Sequence, residues 1–169
     1  MPNNVFLTGA PNIGKTTVIK HLLHDLKPLL VHGFYKEAIY ENNICKGYRI
    51  ITIDRREQIL AHVYFESPFR IDQFGVNIEG FEKFILPELD LNRQTELFII
   101  DEIGRMECLS TLFCQQIKKI MQSPIPLIAS IAGGVIHQLP IIKKNKGVTL
   151  LQVTQKNRDA IWKNILVQI

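Results

Sequence analysis

The sequence predicts an α/β fold: a mostly parallel central sheet with crossover helices and an inserted antiparallel β-meander. Three observations carry this. Short β-rich runs alternate with helical apolar periods along the chain, the pattern of strands linked by crossover helices. Three consecutive β-rich runs, over residues 33–40, 47–53 and 59–65, are separated only by the polar connectors Glu41-Asn42-Asn43 and Asp54-Arg55-Arg56-Glu57. Connectors that short join antiparallel neighbours and cannot span a parallel crossover. Finally, a glycine-containing loop stands between an apolar strand and an amphipathic helix near the N-terminus.

The first strand covers residues 5–8. After the loop, Val18, Ile19, Leu22, Leu23 and Leu26 recur at helical spacing until Pro28. Beyond the meander, a helical stretch from 80 towards 91 sets Phe81, Phe84, Ile85 and Leu89 on one side. Pro87 is expected to kink or divide it. Residues 97–100 form a continuous apolar run, as in a strand buried on both faces. Residues 109–121 are again helical and Pro124 closes them. Residues 127–131 and 148–153 read as two further core strands, and the last helix is expected to start near Thr154, an N-cap residue type. Phe81, Phe84 and Phe113 are assigned to packing.

With 169 residues the chain is expected to form one domain, 1–169, around a single core. An apolar share of 46% and a charged share of 21% exclude a disordered chain. No run approaches the roughly 18 apolar residues of a membrane span, and no basic n-region with an apolar h-region precedes Val5. Cys45, Cys108 and Cys114 lack CxxC or Cys/His zinc spacing, so reduced thiols in a cytoplasmic protein are expected. The net charge is +4, with clusters at Lys143-Lys144-Asn145-Lys146 and Arg55-Arg56. That balance suits a phosphate ligand and leaves nucleic acid open as a partner. A monomer is expected.

Gly9-Ala10-Pro11-Asn12-Ile13-Gly14-Lys15-Thr16 fits G-x-x-x-x-G-K-[ST]. Triphosphate binding gathers several negative charges in a small volume, and successive backbone N–H groups of such a loop form a nest around them. The following helix N-terminus adds positive dipole and unpaired donors. Lys15 is expected to reach the β- and γ-phosphates, and the Thr16 hydroxyl to ligate Mg²⁺. Residues Gly9 to Thr17 are therefore the candidate nucleotide-binding set.

Residues 97–100 run into Asp101-Glu102-Ile103-Gly104. An acidic residue at the carboxyl end of a buried strand is the Walker B arrangement, at the sheet edge where ligands gather. Asp101 is expected to hold Mg²⁺, through a water. Glu102 can orient or polarise an attacking water, which favours hydrolysis over plain binding. Gly104 is expected to turn a backbone N–H towards the γ-phosphate, and Arg105 is a candidate for stabilising charge in the transition state. Lys15, Glu102 and Arg105 thus form the candidate catalytic set.

Together these residues resemble the small nucleoside-triphosphatases related to human cancer-related nucleoside-triphosphatase, which have microbial members of similar length. The resemblance rests on Gly14-Lys15-Thr16-Thr17, Gly33-Phe34-Tyr35 and the run from Gly75 through Gly80 to Glu82. Leu86-Pro87-Glu88-Leu89, the run Ile100-Asp101-Glu102-Ile103-Gly104-Arg105-Met106-Glu107, and Val153-Thr154 with Asn157-Arg158 complete it. It implies a RecA-like P-loop fold, a three-layer sandwich. It also implies slow Mg²⁺-dependent γ-phosphate release from ATP, GTP, CTP and UTP. Asn12 stands where the family usually has glycine, and Lys36-Glu37-Ala38 and Tyr40 stand where it tends to show Thr-Glu-Glu and a later arginine. Asn77 replaces a common aspartate. No Asn-Lys-x-Asp motif is present to read guanine; Asn157 and Arg158 are candidates to flank the base or ribose, and His137 with the lysines at 143, 144 and 146 for the nucleotide edge.

Two other classes stay open on sequence. A P-loop nucleotide or nucleoside kinase shares the same chemistry, although the close arginine pair Arg55-Arg56 lies in a meander turn rather than in a lid. An NTP-dependent switch or RNA-associated module would use slow hydrolysis to reset conformation, although no aromatic–basic interleaving of the kind base stacking needs is present.

Overall fold

Alternation along the strands divides the apolar residues between two faces. The structure, a computed structural model, describes residues 4–137, 139, 140, 142 and 146–169. Its elements are β1 (Asn4–Thr8), α1 (Lys15–Asp25), β2 (Val31–Glu41), β3 (Ile44–Thr52), β4 (Glu57–His62), β5 (Arg70–Ile71) and β6 (Phe74–Val76). Then follow α2 (Ile78–Ile85), β7 (Leu97–Ile103), α3 (Thr111–Gln122), β8 (Leu127–Ile131), β9 (Val148–Gln152) and α4 (Ile161–Leu166).

Among the described residues the strands form one sheet in the order β5-β6-β4-β3-β2-β7-β8-β1-β9. From β2 to β9 every pairing is parallel, and from β2 out to β5 every pairing is antiparallel. The meander therefore extends the parallel sheet at its β2 edge, and β2 belongs to both parts.

Phe6, Phe98 and Ile100 face a core closed by Phe81 and Ile85 of α2 and by Phe113, Ile117 and Ile120 of α3. Val5, Leu7, Leu97 and Ile99 face the opposite way, onto Val18, Ile19 and Leu22 of α1 and Ile161 and Ile165 of α4. Strand residues one apart point to opposite faces, so a continuous apolar run fills both cores and makes three layers. Phe34, Phe81 and Phe113 meet at ring-centroid distances of 6.1, 6.0 and 5.3 Å. Fully burying each ring contributes about 1.5–3 kcal/mol, which locks β2 to the helices on that side.

Several sequence expectations are corrected. The meander's third strand is shorter at its end than expected: β4 stops at His62, because the Phe65 N–H turns back to the His62 carbonyl. The short pair β5 and β6 follows. Helix α2 starts before Gly80, since Asn77 is its N-cap and accepts the Gly80 N–H at 2.9 Å. It ends at Ile85, ahead of Pro87, so the proline divides the stretch. The last helix does not start near Thr154. The Asn157 side chain takes the Thr154 N–H at 2.8 Å and forms a run of turns, and α4 begins only at Ile161.

Glu88 explains the Leu86-Pro87-Glu88-Leu89 run as structure. Its carboxylate is buried and accepts from His32 at 3.1 Å, Gly33 at 3.3 Å, Arg56 at 2.7 Å and Arg93 at 2.9 Å. Arg56 is thereby committed to the fold. Of the other basic cluster, Lys143, Lys144 and Asn145 lie outside the described residues.

Candidate active site

Helix α1 begins at Lys15 with Gly14 as its N-cap, in the left-handed region at φ 119° and with no side-chain cap. No acidic residue stands in its first turn, so the first-turn N–H groups and the positive end of the helix dipole meet no competing carboxylate on the helix itself. Asn12 also adopts positive φ, 60°. Asparagine tolerates that region better than most residues, so the loop takes this conformation without a glycine at position 12. Lys15 Nζ donates to the Gly9 and Ala10 carbonyls, each at 3.0 Å, and so is folded back across the loop.

Strand order brings the acidic residues opposite. Tyr35 pairs with Asp101 on the β2 side, while the β7–β8 register shifts between Ile100 and Ile103. Asp101 and Glu102 thus sit where the ladder towards β8 is interrupted. Residues Pro11, Asn12 and Gly14 to Thr17 on one side, and Lys36, Tyr48, Asp101 and Glu102 on the other, line a cavity of about 550 Å³.

Asp101 is 3% exposed. The Ser130 hydroxyl of β8 donates to its Oδ1, and its Oδ2 is buried without a hydrogen-bond partner of normal geometry. Burial pushes this carboxyl above the usual range, while the Ser130 and Thr16 hydroxyls pull it down. An orphaned carboxylate oxygen beside a threonine hydroxyl is a hard-oxygen set that fits Mg²⁺. Among the described residues no three His, Cys, Asp or Glu side chains are grouped so as to hold a metal ion by themselves.

The sign of the Asp101 shift gives a stability expectation. A carboxyl raised by folding takes up a proton, so its contribution is lost as pH rises above the ordinary carboxylate range. Asp101→Asn, which cannot ionise, should melt higher than the wild type at pH 7 without Mg²⁺. The gap should narrow towards pH ~4. A lower melting temperature at pH 7 would contradict the cost assigned to that buried charge.

Glu102 carries an ion pair that the sequence reading missed. Lys36 of β2 places Nζ 3.3 Å from Glu102 Oε1 and 2.8 Å from Glu107 Oε1, with Glu107 0% exposed. Burial works against the Lys36 charge, but the two carboxylates outweigh it and hold its pKa above that of an ordinary lysine. The Gly104 N–H, expected at the γ-phosphate, instead donates to Glu107 Oε2 at 3.0 Å. A fully buried carboxylate needs such donors. A Cβ on Gly104 would stand 2.7 Å from that oxygen.

The remaining candidates are placed as follows. Arg105 is 57% exposed and lies 3.6 Å from Asp72, outside the lining of the cavity. Asn157 uses both ends of its amide in the turn, accepting from Thr154 and donating to the Gln152 carbonyl at 2.8 Å. Arg158 reaches the Ile13 carbonyl at 3.4 Å and, with Gly14, Thr17 and Asp159, lines a smaller cavity of about 260 Å³. His137 is exposed at the end of a 3₁₀ turn.

A family model described as NTPase matches residues 4–166. The chain belongs to this NTPase family. Nucleoside-triphosphatase THEP1 of Thermotoga petrophila is 37% identical over 163 residues, covering 96% of this chain and 90% of its own. Among solved structures, the crystal structure of THEP1 from Aquifex aeolicus superposes with a TM-score of 0.84 at 31% identity, over 97% of both chains. The solution structure of a human cancer-related nucleoside triphosphatase gives 0.83 at 30% identity, over 98% of this chain and 96% of that one. At these identities the family's P-loop fold is this chain's fold.

Proposed function

We propose that this protein is a Mg²⁺-dependent nucleoside-triphosphate hydrolase that releases the γ-phosphate with low base selectivity. The observation that carries the reading is Glu102: its carboxylate lines the same cavity as the Lys15–Thr17 loop and is ion-paired, beside a buried Asp101. Backbone N–H groups of the loop and Lys15 bind the β- and γ-phosphates. Thr16 and Asp101 would hold Mg²⁺, which supplies charge neutralisation on the phosphate oxygens when bound. Glu102 orients the attacking water and accepts its proton. Arg105 must leave Asp72 to approach the phosphate, so it stands last among the charge-stabilising groups.

Low base selectivity is supported by what surrounds the second cavity. The Asn157 amide is consumed by the turn, which leaves Arg158 and the exposed Asp159 as the side chains beside Gly14 and Thr17, and neither is a buried, fixed reader of a base edge. Free Cys45, Cys108 and Cys114 suit a reducing, cytoplasmic setting, and no described helix is long and apolar enough to cross a membrane.

The test follows the γ-phosphate of ATP with Mg²⁺, first alone and then with nucleoside monophosphates added. Free phosphate in both conditions supports the hydrolase. Label appearing on the added nucleotide, with little release in its absence, would make the protein a kinase.

A further inference from the structure

We propose that Lys36 is a positioning residue for Glu102: it tethers the carboxylate at the cavity wall from the adjacent strand, using the buried Glu107 as its anchor. The proposal rests on the hydrolase reading of this site.

The geometry is a chain of four groups. The Gly104 N–H fixes Glu107 Oε2 at 3.0 Å. Glu107 Oε1 fixes the Lys36 ammonium at 2.8 Å, and the ammonium stands 3.3 Å from Glu102 Oε1. Glu107 is fully buried and Lys36 is 13% exposed, so the anchor end has one well-defined position, whereas Glu102 at 29% exposure is the movable end. A half-exposed glutamate has several rotamers within reach, and only some aim the carboxylate into the cavity. A cation held by a third, immobile group selects among them.

The Tyr48 ring, 5.6 Å from the ammonium, closes another side of the tether. Two carboxylates, Glu102 and Glu107, are ion-paired to the one ammonium, an arrangement that a single surface pair does not provide.

A purely structural alternative has Lys36 doing nothing but neutralising Glu107. The two differ in kinetics. Tethering affects a water-orienting group and no phosphate contact, so Lys36→Thr should lower kcat about tenfold or more, as expected when a reacting group is misplaced. KM should move less than about threefold. Because Lys36 acts through Glu102, the same change in a Glu102→Gln background should cost less than about twofold further. Lys36→Arg keeps a cation able to reach both carboxylates and should recover most of kcat.

The experiment measures kcat and KM for ATP with Mg²⁺ in wild type, Lys36→Thr, Lys36→Arg, Glu102→Gln and the Lys36→Thr/Glu102→Gln double variant, each checked by thermal melting. Lys36→Thr leaves the buried Glu107 without its cation, which costs stability, and Lys36→Arg provides a second variant if it melts early. Non-additive losses with KM unchanged support the tether. Wild-type kcat in folded Lys36→Thr, equal losses in both backgrounds, or a rise in KM alone would overturn it. Wild-type turnover in Glu102→Gln would instead overturn the role given to Glu102, and with it the reason for a tether; a slow Glu102→Gln beside a wild-type Lys36→Thr overturns the tether alone.

Discussion

Lys15→Ala should lose measurable turnover and weaken nucleoside-triphosphate binding by at least tenfold to about a hundredfold. The estimate comes from one or more charge-assisted hydrogen bonds to phosphate, each worth about 1.5–3 kcal/mol, where 1.4 kcal/mol is about tenfold. Lys15 is 8% exposed and holds the Gly9 and Ala10 carbonyls, so its removal also releases two loop contacts. Those contacts are neutral acceptors and cost less than the phosphate interaction. The folded state should therefore survive, and a melting curve within a few degrees of wild type is the control. Equilibrium binding of a fluorescent triphosphate is the check, and unchanged affinity would remove Lys15 from the phosphate site.

Glu102→Gln should spare binding and slow turnover by at least about tenfold, a conservative floor for a positioned base. The amide keeps the size of the side chain and one acceptor oxygen but cannot take a proton from water. Lys36 would keep its shorter contact, to Glu107, so the cavity wall should hold. The expected signature is a fall in kcat with KM almost unchanged, which marks an interaction made in the transition state. Wild-type kcat in this variant would take Glu102 out of the chemistry.

The legible parts of this protein are those written locally. Gly9 to Thr17 show a contiguous loop motif, and the apolar runs over 97–100 and 127–131 need no partner to be read as strands. The antiparallel extension follows from connectors too short for a crossover. What escaped depends on which strand lies beside which. Lys36, Ser130 and Tyr48 reach the site because β2 and β8 flank β7 and β3 flanks β2, and nothing near each residue announces that order. Glu107 lay inside a quoted run, yet its burial and its hold on Gly104 depend on the 3₁₀ turn Glu107–Leu109 that follows β7.

Strands β5 and β6 are two and three residues long, too short to show a period. The expected N-cap at Thr154 is absent: the Asn157 amide accepts the Thr154 N–H and donates to the Gln152 carbonyl, and side chains that bond the local backbone in this way favour turns over helix. Asn12 is the converse case: a non-glycine residue in the loop that the backbone accommodates at φ 60°.

The measurement closest to the central claim is the initial rate of phosphate release from ATP, GTP, CTP and UTP, with Mg²⁺ and no acceptor, beside Lys15→Ala. Release from several of the four, absent in the variant, is the expected result. Tight binding of the triphosphates by the wild type with no phosphate released from any of them would contradict a hydrolase.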